Sequence, residues 1–128
     1  MLMKIKTKKN IKKQLDVLWS LIVRQSNNGN CEICQKPAQN SHHIIGRSNY
    51  ALRWNIKNGT NLCISCHLFG QNSAHKNPIF FINWFKSKRP SDYEYLKDPK
   101  FTKTKTWTIF DYQEILKTLK EIYAQLEV

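Results

Sequence analysis

Two Cys-x-x-Cys pairs, Cys31-Glu-Ile-Cys34 and Cys63-Ile-Ser-Cys66, constrain this chain more than any other feature of its sequence. Each such turn can present two sulfurs to one tetrahedral ion, and the 28 residues between the pairs are then closed into a loop that starts and ends at the metal. A redox dithiol is the rival for either pair, but it needs only one of them, and no thioredoxin-like pattern surrounds these. The double pair therefore predicts a structural zinc on Cys31, Cys34, Cys63 and Cys66. A chain of 128 residues makes one modest core, and a metal staple helps such a core.

The charge is unevenly placed. Of 21 Lys and Arg and nine Asp and Glu, residues 1–91 hold fifteen of the bases but only two acids, Asp16 and Glu32. The remaining stretch is close to neutral, so the whole excess of +12 belongs to the first two-thirds. A field of that sign draws polyanions and gives salt-dependent affinity for phosphates. A solvated basic face that only keeps the protein soluble explains the charge equally well. The opening residues MLMKIKTKKNIKK lack the apolar run of a secretory signal, and no stretch approaches the roughly 18 apolar residues that span a membrane. A cytoplasmic protein is expected, and a reducing compartment favours metal over disulfides.

Ile11, Leu15, Leu18 and Ile22 recur at helical spacing and stop at Asn27-Asn28-Gly29-Asn30, which predicts an amphipathic basic helix over 10–26. Its expected role is to cover the small metal-bound core that follows. All Cys and His lie between Cys31 and His75, a stretch with little periodicity. Within it, 41–45 reads as a short strand, 46–57 as a loop and 65–70 as the first turns of a helix. Asn77-Pro78 reads as an N-cap followed by proline at the first helical position, opening a helix that ends near Pro90. Ser91 with Glu94 and Asp111 with Glu114 have capping-box spacing, predicting helices over 92–98 and 111–127. The last carries Ile115, Leu119, Ile122 and Leu126 on one face. Pro99 to Thr108 alternates Lys and Thr, and reads equally as a loop or an edge strand. No repeat or linker divides the chain, so 1–128 is expected to be one domain.

Between and just after the cysteine pairs stand His42-His43, Asn58 and His67. This order, with Asn58 in Asn58-Gly-Thr-Asn-Leu-Cys63 and His67 directly after Cys66, resembles the HNH, or ββα-metal, nucleases. Leu18-Trp19 to Arg24, Leu52-Arg53-Trp54, and Ala74-His75-Lys76-Asn77-Pro78 with Phe81 and Trp84 extend the likeness to phage HNH proteins, including NinG-type recombination endonucleases. The resemblance covers residues 15–96. It implies a small α+β domain with a ββα-metal core flanked by helices, acting on DNA, in a bacterial host's cytoplasm if phage-encoded. Asn61 competes for the central Asn; Asn58 is preferred because the family commonly places it five residues before the second pair.

The resemblance further implies roles. His43 would be the general base, with an ordinary pKa of about 6.5 near working pH. Asn58 would orient its ring through a backbone hydrogen bond. His42, on the opposite face of a strand, would bind a catalytic divalent metal with His67 and His75. Arg47 and Arg53 are candidate phosphate contacts, with simple solvent exposure as the alternative. The sequence adds an argument of its own: no Asp or Glu lies between Glu32 and Asp92. An ion held inside this module must use imidazole, which shifts expectation from Mg²⁺ alone toward Zn²⁺, Ni²⁺ or Mn²⁺. Family members often carry Asp where His42 stands.

The third ligand is a choice between Gln71 and His75. A continuous helix from His67 would bring Gln71 round on the same face, whereas Gly70, Asn72 and Ser73 are weak helix formers that could end it and let His75 return. His67 could instead replace a thiolate at the zinc, though four sulfurs already complete a tetrahedron. Phe80, Phe81, Trp84 and Phe85 read as core rather than as a base-stacking platform. The main rival to an enzyme is a non-catalytic zinc-knuckle module that binds nucleic acid through its basic face.

Overall fold

The computed structural model describes residues 7–103 and 105–126. Helix α1 (Lys8–Gln25) begins where the Thr7 hydroxyl accepts from the Asn10 N–H at 3.2 Å. It stops where Asn27, Asn28 and Gly29 take left-handed conformations, with φ of 53°, 56° and 77°. Asn and Gly are the residues for which that region is least costly, so this string ends the helix. The first knuckle, strand β1 (Asn40–His43) and strand β2 (Gly59–Leu62) follow; the strands pair antiparallel, with His42 opposite Thr60 and His43 opposite Gly59. The result is a small α+β fold around one two-stranded sheet.

Three further α-helices lead to the last. α2 (Pro78–Lys88) starts as the sequence predicts, the Asn77 side chain accepting from the Phe80 N–H at 3.1 Å. α3 (Pro90–Lys97) begins at Pro90 with no side-chain cap, so Ser91 lies inside the helix and the expected start at 92 is corrected. Proline's fixed φ already sets the first turn there. Pro99 to Thr108 is neither edge strand nor plain loop at its start: it opens with a one-turn helix, α4 (Pro99–Thr102). α5 (Ile109–Leu126) begins two residues before the expected Asp111, because the capping pair is Thr108 with Asp111. Asp111 accepts from the Thr108 N–H at 2.9 Å and donates its own N–H to the Thr108 hydroxyl at 3.2 Å. Residue 127, the expected end of that helix, lies outside the described residues.

Apolar side chains gather in three clusters. Ile11, Leu15, Trp19, Ile22 and Val23 of α1 meet Tyr112, Leu116 and Leu119 of α5 around Trp54. This corrects the expected role of α1: its apolar face is shared with α5, since the knuckle region fills its own centre with Cys31, Ala38, Leu62, Ala74 and Phe81. Leu52, Phe85 and Leu96 form the third cluster, so Phe81 and Phe85 are core while Phe80 is exposed. Among the described residues no helix is long and apolar enough to cross a membrane.

α1 still reaches the sheet, through Gly59. A Cβ there would stand 2.5 Å from Val23 Cγ2 and 2.8 Å from Trp19 Cζ2, both side chains of a packed core. Gly59→Ala is expected to lower stability by about 1–3 kcal/mol, the usual cost of overpacking. Urea denaturation checks this; an unchanged midpoint would mean that α1 is not seated on β2.

Candidate functional site

Both cysteine turns are held by backbone hydrogen bonds. Cys31 N–H donates to Lys36 O at 2.7 Å, and Gln35, with φ of 66°, reverses the chain so that its N–H reaches Cys31 O. In the second turn Cys63 Sγ accepts from the Cys66 N–H at 3.4 Å. Glu32 N–H donates to Asn61 O at 3.0 Å, which ties the first turn to β2 just ahead of the second. One sulfur from each cysteine lies within 4.8 Å of the others, and Cys34 and Cys63 Sγ are 3.6 Å apart. Four sulfurs about 2.3 Å from a tetrahedral zinc would stand about 3.8 Å from one another. All four are free thiols. Burial pushes Cys63 up, but the Cys66 N–H and the neighbouring thiols bring it to about 7, while burial and those same neighbours push Cys66 up. Sulfurs this close cannot all carry charge without a cation, and the group could hold a structural metal ion such as zinc.

The second group is made of imidazoles. Around Cys66 the chain makes a single π-type turn (Ser65–Phe69), closed by Gly70 N–H on Ser65 O at 2.7 Å. A Cβ at Gly70 would stand 2.7 Å from that same oxygen, so a glycine suits the stop. The segment then doubles back, with Ala74 N–H donating to Cys66 O and His75 N–H to His67 O. Gln71 is left exposed, and His75 Nε2 comes 3.1 Å from His67 Nε2. His42, projecting from β1, meets both rings edge-on with centroids 5.1 Å away, and Phe81 of α2 backs it at 4.9 Å.

The nitrogens of His42, His67 and His75 lie within 4.8 Å of one another, a donor set with no carboxylate in it. Burial, then the charges of His67, His75 and His43, lower His42 to about 3, so its ring is neutral and keeps a free lone pair. Burial lowers His67 as well, and its Nδ1 is buried without a hydrogen-bond partner among the described residues. Three imidazoles converging in this way fit an ion that accepts nitrogen.

His43 lies on the other side of β1. Its ring stacks on Trp19 of α1, with centroids 3.8 Å apart and planes 9° from parallel. Its Nε2 donates to the Arg53 carbonyl at 2.9 Å, which leaves Nδ1 as the atom with a lone pair in the neutral ring. Burial holds His43 below the ordinary imidazole range, against the opposing effects of that carbonyl and of Asp16.

Asn58 is fully buried, and its side-chain hydrogen bonds go to the loop ahead of it. Its carboxamide accepts from Ile45 N–H at 2.7 Å and donates to Ile45 O and Leu52 O at 2.9 and 3.2 Å. It thus ties both ends of the 46–52 loop together, and that loop leads directly into Arg53, whose carbonyl meets His43. Asn61 instead bonds Arg24 O and Ala38 O, bracing α1 and the first knuckle.

Sequence patterns missed Asp16 and Trp19. Asp16 accepts from Arg53 Nε and Nη2 at 3.0 and 2.7 Å, from Trp54 Nε1 at 2.8 Å and from Arg47 Nη2 at 3.2 Å. Burial alone would raise its pKa, but these hydrogen bonds and the arginine charges hold the carboxyl below its usual range. The Arg53 side chain, 13% exposed, is committed to this pair, whereas Arg47 is 64% exposed at the mouth of the site. Asp16, Trp19, His42, His43, Arg47 and His67 all line one open cleft of about 470 Å³.

Compared with known proteins, the chain matches no family model, no curated protein and no solved structure. The chemistry of the cleft therefore has to be read from its own residues.

Asp16 is expected to matter for the shape of that cleft. Asp16→Ala removes the acceptor shared by two arginines and an indole, and should cost about 1–3 kcal/mol of stability through the donors left behind. Thermal melting of the variant checks this.

Proposed function

We propose that this protein is a metal-dependent endonuclease of the HNH type that hydrolyses phosphodiester bonds in DNA. The observation that carries the proposal is the meeting, in one cleft, of a half-buried histidine held by a backbone carbonyl and a converging group of three imidazoles. Hydrolysis of a phosphodiester needs an activated water and positive charge at the phosphate. His43 is the general base, taking the water's proton at Nδ1 while Nε2 stays bonded to Arg53 O. Trp19 and Asn58 fix its plane and its loop. His42, His67 and His75 hold the divalent ion, which when bound supplies charge to the phosphate oxygens. Arg47 exchanges its exposed contact with Asp16 for one with phosphate. Cys31, Cys34, Cys63 and Cys66 hold a structural zinc that keeps β2 and the His67 turn in register. DNA fits the basic excess of residues 1–91, because Asp16 and Glu32, the two acids there, are both paired with arginines.

Supercoiled plasmid and linear duplex incubated with Mn²⁺, Ni²⁺, Zn²⁺ or Mg²⁺ test the activity. Cleavage in at least one nitrogen-accepting ion is expected. Binding that weakens steeply with salt but never leads to cleavage in any ion would favour the non-catalytic zinc-knuckle module instead. His75→Ala should raise the metal concentration needed for half-maximal cleavage at least tenfold and spare the zinc content, whereas Gln71→Ala should change neither. The reverse pattern would move the third ligand to Gln71.

A further inference from the structure

A second recess, an open groove of about 600 Å³, lies between the 46–57 segment, α3, α4 and α5. Its floor is apolar, with Ile56 from the segment and Ile115 and Leu119 from α5. Its walls are aromatic. Tyr95 of α3 and Phe101 of α4 stack with centroids 4.3 Å apart and planes 17° from parallel, and Trp107 lines the groove with them, its Nε1 bonded to Tyr50 O at 2.9 Å. Phe101 is 39% exposed, more than an aromatic ring in a filled core would be.

The rim carries lysines, each with its ammonium over one of these rings. Lys57 Nζ lies 4.3 Å from the Tyr95 centroid, Lys100 lies 5.6 Å from Phe101 and Lys105 lies 5.1 Å from Trp107. Among the described residues the one carboxylate lining the groove is Glu114. The Lys/Thr run from Pro99 to Thr108, which the proposed catalytic site leaves without a task, supplies Lys100, Phe101, Lys105 and Trp107 to this wall.

We infer that the groove binds a single-stranded segment of the DNA substrate, its bases against the aromatic walls and its phosphates on the rim lysines. Unstacked bases offer flat apolar faces, and such faces are what an aromatic groove takes up; each stacked base contributes about 1–3 kcal/mol. A blunt duplex keeps its bases inside and presents only phosphates and groove edges to a recess of this kind. The lysines, parked on the rings in the free protein, become available to phosphate once a base takes their place.

Groove and cleft are also joined through one side chain. Trp54 lines the groove and donates its Nε1 proton to Asp16, which lines the cleft. The inference rests on the nuclease reading for its direction of use: the substrate is DNA with an unpaired stretch beside the scissile bond, such as a gap, flap or branch.

The test separates the two claims by measuring binding without any added divalent ion. A labelled 15-nucleotide dT strand and a blunt hairpin duplex are titrated by fluorescence anisotropy, with tryptophan quenching as a second readout, since Trp54 and Trp107 line the groove. The single strand is expected to bind more tightly and to quench. The double variant Phe101→Ala with Lys100→Gln should lose about tenfold or more in single-strand affinity and less than twofold in duplex affinity, with its melting temperature checked. If that variant does not fold, Lys57→Gln with Lys105→Gln, which alters only rim lysines, takes its place with the same expectation.

Equal affinity for the two DNAs in the wild type, or equal losses on both in the variant, would overturn the inference. So would a concentration-dependent dimer abolished by the same substitutions, which would assign the groove to a second copy of the chain. Tight single-strand binding by a protein that cleaves nothing would keep the groove and overturn the nuclease. Cleavage by a protein whose variant binds single strands normally would do the opposite.

Discussion

Cys63→Ser is expected to unfold the region from Cys31 to His75 and to release one zinc per chain. Cys63 sits at the junction of the two turns: its sulfur accepts from the Cys66 N–H and lies 3.6 Å from Cys34. A serine hydroxyl is shorter and stays protonated at neutral pH, so it offers the ion neither the reach nor the charge of a thiolate. Structural zinc in small modules contributes about 10–16 kcal/mol of binding free energy, more than the net stability of about 5–15 kcal/mol that a whole domain has. Among the described residues the apolar cluster around Cys31 has Ala38, Leu62, Ala74 and Phe81 as buried partners, with Ile33, Ile44 and Trp84 partly buried against it, a small core to stand without the ion. The variant should lose its cooperative melting transition for this region and retain no thiolate-bound zinc. Metal analysis of fresh wild-type protein together with circular dichroism of the variant checks both. Wild type without zinc, or a variant with the wild-type melting temperature, would remove the structural metal from the proposal.

Much of this architecture is legible in the sequence because it rests on contacts close along the chain. Two cysteines three apart, repeated once, fit a pair of metal-holding turns, and Asn77-Pro78 carries its own cap and first helical residue. Gly70, Asn72 and Ser73 signal the stop that lets His75 return to His67. Other features depend on partners far away. Asp16 stands between Leu15 and Val17 on a helix, where an acid reads as solvent-facing; its partners Arg53 and Trp54 are 37 and 38 residues further on. Arg53 reads as a phosphate contact for the same reason, since nothing nearby in the chain shows that its charge is taken. The stack of Trp19 on His43 joins a helix to a strand and leaves no pattern at all. Capping spacing misled at Ser91 and Asp111 because spacing of three recurs by chance: at Pro90 the ring set the first turn, and at Asp111 the partner is Thr108 rather than Glu114.

His43→Ala is expected to lower DNA cleavage by a factor of about 10²–10⁴, the usual loss when a general base is removed, with DNA affinity nearly unchanged. The size follows from what no other group in the cleft can replace. His42, His67 and His75 gather their nitrogens within 4.8 Å of one another and, in the proposed mechanism, are taken up by the ion. Asp16, the carboxylate that lines the cleft, is held by four donor contacts and has its pKa lowered, so it is a poor acceptor for a water proton. Removing the imidazole also removes the Trp19 stack, and a loss of activity by itself would not distinguish a missing base from a loosened α1. His43→Gln separates the two. A glutamine amide can donate to Arg53 O and fill part of the space over Trp19, but it has no nitrogen that accepts a proton at neutral pH. It should therefore recover most of the melting temperature lost in His43→Ala while staying as inactive. Cleavage at more than a tenth of the wild-type rate in His43→Gln would mean that His43 holds the loop rather than the proton, and the base would have to be sought elsewhere in the cleft.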